Sequence, residues 1–355
     1  MTGKTRRRPL LAVVLGGSLT LAACGSGGAS DEGGGGGGGD AVQADTLDAL
    51  VAAAEEEGQL VWYQTADARI AQDLADAFME QYDIEASFSR LNSSQMEQRF
   101  SAEADAGSPA ADVILPIHSE FFNEAMSQDW LVPLEEANIP DFPADHMPEE
   151  ALLEDSGTAV IGITQYAFGY NSEMVDSGEA PETWEDLLDP RWDGEILMSD
   201  PTISSVYTNL YYLVEQEYGL DFLRQLGEEE PRIYQGAAPM GEALAAGEGS
   251  LAVPLPIEYM ENLRDEGGAP LAWSMMDVSV GAASVVGVVA DSPNPNAARL
   301  FAHWLMTEEA LELFTASEGT VNPVDTDQYP TELSGPALRE QSSQREDEIY
   351  EALGF

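Results

Sequence analysis

Cysteine is nearly absent: Cys24 is the only one in 355 residues, so no disulfide can form within the chain and no thiolate cage can hold a metal. Lysine is as scarce. Lys4 stands alone and, with Arg6, Arg7 and Arg8, leaves ten arginines to answer 65 acidic residues over the rest of the chain. A surface of that sign excludes nucleic acid as a partner and excludes electrostatic adhesion to anionic lipid. Histidine occurs three times, at His118, His146 and His303, without G-x-S-x-G, H-E-x-x-H or zinc spacing around it. The expectation is a protein that is not an enzyme and has no resident cofactor. Beyond the N-terminus no apolar run approaches the roughly 18 residues of a membrane-spanning helix, and no internal repeat is visible.

What the N-terminus does contain is ordered by polarity. A basic cluster precedes an uncharged apolar stretch from Leu10 to Ala22, the layout of a secretory signal. The stretch closes on Leu21-Ala22-Ala23-Cys24, which resembles the lipobox of bacterial lipoproteins. That resemblance implies a signal peptide over 1–23, lipidation of the Cys24 sulfur, and an anchor on the outer face of the cell membrane, at the cell surface or in a periplasm. Residues 24–44 then form a Gly-rich tether with seven consecutive glycines at 33–39 and nothing apolar larger than valine to bury. A coil of this kind reaches roughly 20–25 Å. It is not a phosphate-binding loop, because no strand precedes it and no P-loop lysine follows.

From Asp45 onward the periodicity changes from helical to strand and back. Leu47, Leu50, Val51 and Ala54 have helical spacing and stop at Gly58; Leu60 to Tyr63 is a short apolar strand. Ile70, Leu74, Ala77, Phe78 and Tyr82 mark a second helix, and Ile84, Ala86 and Phe88 alternate as a strand. Asn92-Ser93-Ser94 opens a third helix that runs to about Ala106. Alternation of this type implies α/β lobes with parallel sheets covered on both faces. The stretch from Ala159 to Tyr170 is long for one strand and is expected to cross between lobes, with Val278 to Ala290 returning as a strand pair.

Five stretches carry a resemblance: "LVWYQTADARIAQDLADAFMEQY", "NSSQMEQRFSAEADAGSPAADVI", "YAFGYN", "PETWEDLLDPRWDGEILMSDP" and "SPNPNAARLFAHWLMTEEALELF". Together, and in this order, they resemble the solute-binding proteins of bacterial ABC importers. The branch is the type II periplasmic binding proteins that bind ferric ion, aminoethylphosphonate, thiamine or polyamines. The resemblance implies a two-lobed α/β fold with a ligand cleft between lobes joined by two crossing strands. Lobe 1 is expected over 45–162, completed by 278–325, and lobe 2 over 163–277, completed by 326–355. It also implies a monomer that captures a small solute by lobe closure and delivers it to a membrane permease. A surface sensor lipoprotein without a transport role is the alternative from another class.

In such lobes ligands meet the carboxyl ends of strands and the N-termini of the following helices. Three loops qualify: Thr65 and Asp67 after the first strand, Ser93 and Ser94 at the third helix, and Ser204 and Ser205 after "LMSDP". The resemblance places ligand loops at the two serine pairs and at Glu258-Tyr259, with Tyr234 nearby. The iron binders of this family use adjacent tyrosines after a Gly-Glu turn, but "GEGSLAVPLPIEYMENL" carries Ile257, Glu258 and Tyr259 there. The first-loop histidine of many iron members is Asp67 here. If the cargo is ferric iron (Fe3+), the ligand set implied is Asp67, Glu258 and Tyr259; otherwise it is a small organic or phosphorylated solute. For an anionic solute, Arg90, Arg99, Arg191, Arg232 and Arg264 are the candidate counter-charges. For a cationic one, Trp62, Tyr63, Tyr234, Tyr259 and Trp273 are candidate walls.

Overall fold

The computed structural model describes residues 46–317 and 319–355. The signal, Cys24 and the Gly-rich tether lie outside the described residues. Strands are numbered in chain order: β1 Gln59–Gln64, β2 Glu85–Arg90, β3 Val113–Leu115, β4 Leu131–Val132, β5 Leu152–Leu153, β6 Thr158–Asn171, β7 Ile196–Ser199, β8 Arg232–Tyr234, β9 Leu251–Pro256, β10 Leu271–Met275, β11 Val280–Val285, β12 Gly287–Val289, β13 Thr320–Val321 and β14 Glu332–Ser334.

A five-stranded sheet has the order β2-β1-β3-β12-β4, with β1 parallel to β2 and β3 and with β12 antiparallel to both of its neighbours. A nine-stranded sheet runs β14-β11-β6-β9-β7-β8, with β5, β10 and β13 also paired to β6. Within it β7 is parallel to β8 and β9. Both faces of its central strands are covered, and the residue alternation shows why. Ile196, Met198, Leu251 and Val253 enter one buried cluster, whereas Leu197, Ala252 and Leu255 enter another on the opposite face.

β6 is 14 residues long because it serves two cores. Ala159, Val160, Ile161 and Ile163 belong to the cluster built on the first sheet, together with Trp62, Phe78, Phe301 and Trp304. Phe168 and Tyr170 belong to the cluster that holds Trp184 and Tyr211. β11 pairs antiparallel with β6, Gly281 opposite Gln165 and Ala283 opposite Ile163, and divides the same way, Val280 and Ala282 on one side and Ala283 and Val285 on the other. The fold is therefore two-lobed α/β with two crossing strands, as the resemblance implied. Gly281 permits their approach: a Cβ there would lie 2.5 Å from Ile163 Cγ2.

Local chemistry sets the element ends that face the cleft. Asp67 caps the helix Ala68–Gln81 through Arg69 N at 2.7 Å. Asn92 and Gln95 close a reciprocal capping box on the helix Ser93–Asp105. Gly58, at φ 68°, ends the first helix. The first helix is capped by Thr46, which accepts from Ala49 N. Two helices near the C-terminus, Pro336–Ser343 and Glu346–Leu353, pack onto the second core through Leu338, Ile349, Ala352 and Leu353. No helix among the described residues is long and apolar enough to cross a membrane.

Asp112 ties the first lobe together. Its buried carboxylate accepts from Val61 N at 2.8 Å, Ser292 Oγ at 2.7 Å and Asn294 N at 2.8 Å, joining β1, β3 and the turn before the helix Pro295–Leu305. Asp112→Ala strands these donors in the interior and should destabilise the protein by about 3 kcal/mol, read as a lower denaturant midpoint at an unchanged slope. A midpoint equal to that of the unaltered protein would show the network to be dispensable.

Candidate functional site

A cleft of about 1340 Å³ lies where the two sheets present the carboxyl ends of their parallel strands. From the first sheet come Thr65 and Asp67 after β1, Arg90 at the end of β2, Ser93 and Ser94 beyond it, and the 116–121 segment after β3. From the second come Ser204 and Ser205 beyond β7, and Glu258 and Tyr259 beyond β9. Eight of the nine ligand residues expected from sequence thus meet in one cavity.

Tyr234 does not. It ends the edge strand β8, and its hydroxyl donates to Glu248 Oε2 at 3.1 Å, outside the cleft lining. Among the candidate counter-charges, Arg90 alone lines the cleft. Arg99, Arg191 and Arg264 are held in ion pairs with Glu103, Asp189 and Asp265, and Arg232 donates to the Glu248 and Gly194 carbonyls. Of the aromatic walls considered, only Tyr259 lines it. Trp62 and Tyr63 are buried in the first core, and Trp273 lies under the Arg264 guanidinium, 4.9 Å from its centroid.

The loops are held from behind by groups that do not reach the solute. Gln64, fully buried, accepts from Trp62 Nε1 at 2.9 Å and donates to the Asp67 carbonyl at 3.0 Å, which shapes the first loop. Asp200 accepts from Thr202 N at 2.8 Å and from Gln235 Nε2 at 2.8 Å, which shapes the loop before Ser204. Ser204 Oγ accepts from Val206 N at 3.3 Å as cap of the helix Ser205–Tyr218. That helix is pinned to the C-terminal segment, Asn209 donating to Ser334 Oγ at 2.9 Å and accepting from Ser342 Oγ at 2.6 Å. The hydroxyls of Ser93, Ser94 and Ser205 make no hydrogen bond to protein among the described residues. Their amides open helices and have no carbonyl one turn earlier to bond. Two helix N-termini, one from each lobe, therefore offer N–H and O–H donors to the same cavity.

The remaining charges qualify that picture. Burial, reinforced by Asp67 and Glu261, pushes the Glu258 carboxyl above its ordinary value, against the pull of Arg90 and Arg69. Arg90 makes no ion pair or hydrogen bond to protein among the described residues. The His118 ring lines the cleft, lies 3.0 Å from Ser156 Oγ, and is held below its ordinary value by burial. This Ser-His contact is not a nucleophilic site: Ser156 is buried and does not line the cleft.

The donor set proposed for iron is incomplete. Asp67, Glu258 and Tyr259 share the cleft; Asp67 already uses Oδ1 to cap a helix through Arg69 N, and the Tyr259 hydroxyl donates to the Ala238 carbonyl at 3.3 Å. Among the described residues no group of three or more His, Cys, Asp or Glu is arranged to hold a metal ion. Sequence reasoning also missed Tyr166 and Tyr207, both in the lining, because one reads as a strand residue and the other as part of a helical core stripe.

The sequence profile of a family described as bacterial extracellular solute-binding protein matches residues 108–336. The chain belongs to that family. This solute-binding protein is 26% identical over 273 residues to an uncharacterised protein of Haemophilus influenzae, which covers 75% of this chain and 78% of that one. Its fold is shared with iron-bound HitA from Pseudomonas aeruginosa at a TM-score of 0.63 and 20% identity, covering 84% of this chain and 99% of that chain. It is shared also with AfuA from Actinobacillus pleuropneumoniae, solved with fructose-6-phosphate, at a TM-score of 0.59 and 22% identity over 82% of this chain and 98% of that one.

Glu258 is costly to the empty protein. Its native carboxyl holds a proton to higher pH than the ordinary 4.5, so the native state binds more protons across that window and stability falls as pH rises through it. Glu258→Gln removes this loss. The variant should melt above the unaltered protein at pH 7, with the gap closing as pH drops below 4.5; a gap independent of pH would contradict the assignment.

Proposed function

We propose that this solute-binding protein is the capturing component of an ABC import system and that its solute is a small organic anion bearing a phosphate or phosphonate group. One observation carries the solute class. The cleft joins two serine-bearing helix N-termini from opposite lobes to Arg90, a cation held in no ion pair or hydrogen bond among the described residues. Arg90 is exposed to the cleft and not committed to an ion pair, so its charge is available to an anion that enters. Helix N-termini add partial positive charge and unpaired N–H groups, the usual partners of phosphate oxygens. The relative solved with fructose-6-phosphate is consistent with such a solute; the iron-bound relative supports the metal alternative, which the donor set disfavours.

On this reading the empty protein is open and moves about the crossing strands. An anion held by Ser93, Ser94 and Arg90 on one lobe and by Ser204 and Ser205 on the other stabilises the closed form, which the permease recognises. The lobes divide where the two strands pass from one core to the other, between Ile163 and Phe168 in β6 and between Ala282 and Ala283 in β11, a few residues beyond the 162–163 and 277–278 boundaries expected from sequence. The protein acts as a monomer, anchored through lipid on Cys24 and held off the membrane by its glycine tether. No catalytic step is involved.

Thermal unfolding of the full chain in detergent tests this directly. Phosphate esters and phosphonates should raise the midpoint, by about 2.7 kcal/mol of added stability at a hundredfold excess over Kd. Arg90→Ala should weaken the tightest of them roughly tenfold or more by loss of a charge-assisted bond, whereas Arg224→Ala, in an exposed pair with Asp221, should not. A shift with ferric citrate and none with any phosphorylated or phosphonylated solute would restore the iron reading.

A further inference from the structure

Away from the serine loops, the lobes meet at one end of the cleft through side chains that need not touch a solute. His118 and Glu120 line the cavity there from the first lobe and Ser334 from the second, beside the crossing strands, where Ser334 pairs with Ala282 of β11. Glu120 opens the helix Glu120–Ser127, which sits on the first core through Phe122 and Ala125. Ser334 leads into the helix Pro336–Ser343, which sits on the second core through Leu338. The approach is close: a Cβ on Gly335, the cap of that second helix, would lie 2.9 Å from His118 Nδ1.

Arg339, in the first turns of the second helix, reaches across this junction. Its guanidinium meets Glu346 of its own lobe at 2.7 Å and Glu120 of the other lobe at 3.7 Å. Its Nη1 is buried with no hydrogen-bond partner among the described residues. On the facing helix Asn123 lies three residues after Glu120, hence on the same side. The Asn123 Oδ1 is likewise buried without a hydrogen bond, and its polar neighbour is the same His118 ring that abuts Gly335. A buried donor on one lobe and a buried acceptor on the other are thus left unpaired at one junction, which is unfavourable until they meet. Glu120 and Ser334 both line the cleft, so its closing carries the two helices toward each other.

We propose that Glu120, Asn123 and Arg339 form a latch between the lobes. The long ion pair draws the lobes together in the empty protein, and closure completes the latch as Arg339 Nη1 donates to Asn123 Oδ1. The inference rests on the lobe-closure reading above and not on the identity of the solute. Arg339 is then a positioning residue, which acts on capture through the angle between the lobes. Glu120 is largely exposed, so its share is modest and screened by salt. The buried pair gives the closed form its own share, absent when the lobes part.

Pulsed dipolar spectroscopy of the full chain tests the latch without any solute. Spin labels go on Asp73→Cys and Glu242→Cys, exposed positions on one helix from each lobe, with Cys24→Ala leaving no other thiol. Glu120→Gln should spread the distance distribution toward longer values, as should molar salt, and salt should then add little in that variant. Asn123→Asp offers Nη1 a charged acceptor of nearly the same shape; it should raise the short-distance population roughly threefold, and Arg339→Gln should abolish that gain. Glu348→Gln, which breaks a pair within the second lobe, should move nothing. Melting of each variant checks that it is folded. Distances unmoved by Glu120→Gln, or by Asn123→Asp, overturn the latch; lobe closure stands if propyl phosphate, inorganic phosphate or ferric citrate still shortens them. One fixed distance under every condition, these solutes included, overturns lobe closure and the latch with it.

Discussion

Everything in this molecule hangs on the antiparallel pairing of β6 with β11. Each strand begins in one hydrophobic core and ends in another, and they pass side by side there, Gly281 opposite Gln165, Ala282 opposite Thr164 and Ala283 opposite Ile163. A backbone ladder cannot slip by one residue without turning core side chains outward on both sides of the crossing. The pair therefore fixes which strand ends face each other, and with them the serine-bearing helix N-termini. It can still flex, because at the crossing the long strand is only partly buried at Thr164, Gln165 and Tyr166. Rigidity within lobes and compliance between them arise from the same two strands.

Electrostatics sorts the few cations. With 65 acids in the chain, arginines are drawn into structural pairs: Arg345 with Glu215 and Glu348, Arg339 with Glu346, Arg99 with Glu103. The exposed ones among them, such as Arg345 with Glu348, contribute little stability one by one, but each pair occupies its cation. Arg90 is in no such pair: it ends β2 at the cleft, where Glu258 of the other lobe is within electrostatic reach. The poorly solvated Glu258 carboxyl, held above its ordinary value, is the costly group of the empty site, as expected of a group kept for a ligand.

Much of this was legible in the residues. Alternation and capping chemistry located the strands and the loops that follow them, and the Asn92-Ser93-Ser94 opening is realised as a reciprocal cap with Gln95. What escaped was whatever depends on tertiary partners. Arg99 stands four residues before Glu103 on one helix, a pairing its spacing already allows, whereas only the tertiary structure shows Arg90 at the cleft without an ion pair. Tyr234 resembles a strand-end ligand, yet its edge strand turns it to Glu248. Tyr166 and Tyr207 read as core aromatics because their periodicity is that of the core; a register with β9 is needed to bring one of them beside Glu258. The C-terminal helices that pin the helix Ser205–Tyr218 lie in a stretch whose weak amphipathic pattern carries little signal alone.

The central claim is that both lobes grip one anion. The most direct measurement is backbone amide hydrogen exchange of the full chain with and without a saturating phosphate ester. The account predicts that protection rises together at Ser93-Ser94 and at Ser205, on helices from opposite lobes, and falls away together in Arg90→Ala at the same ligand concentration. Protection confined to one of the two helices, or gained only elsewhere in the molecule, would contradict it.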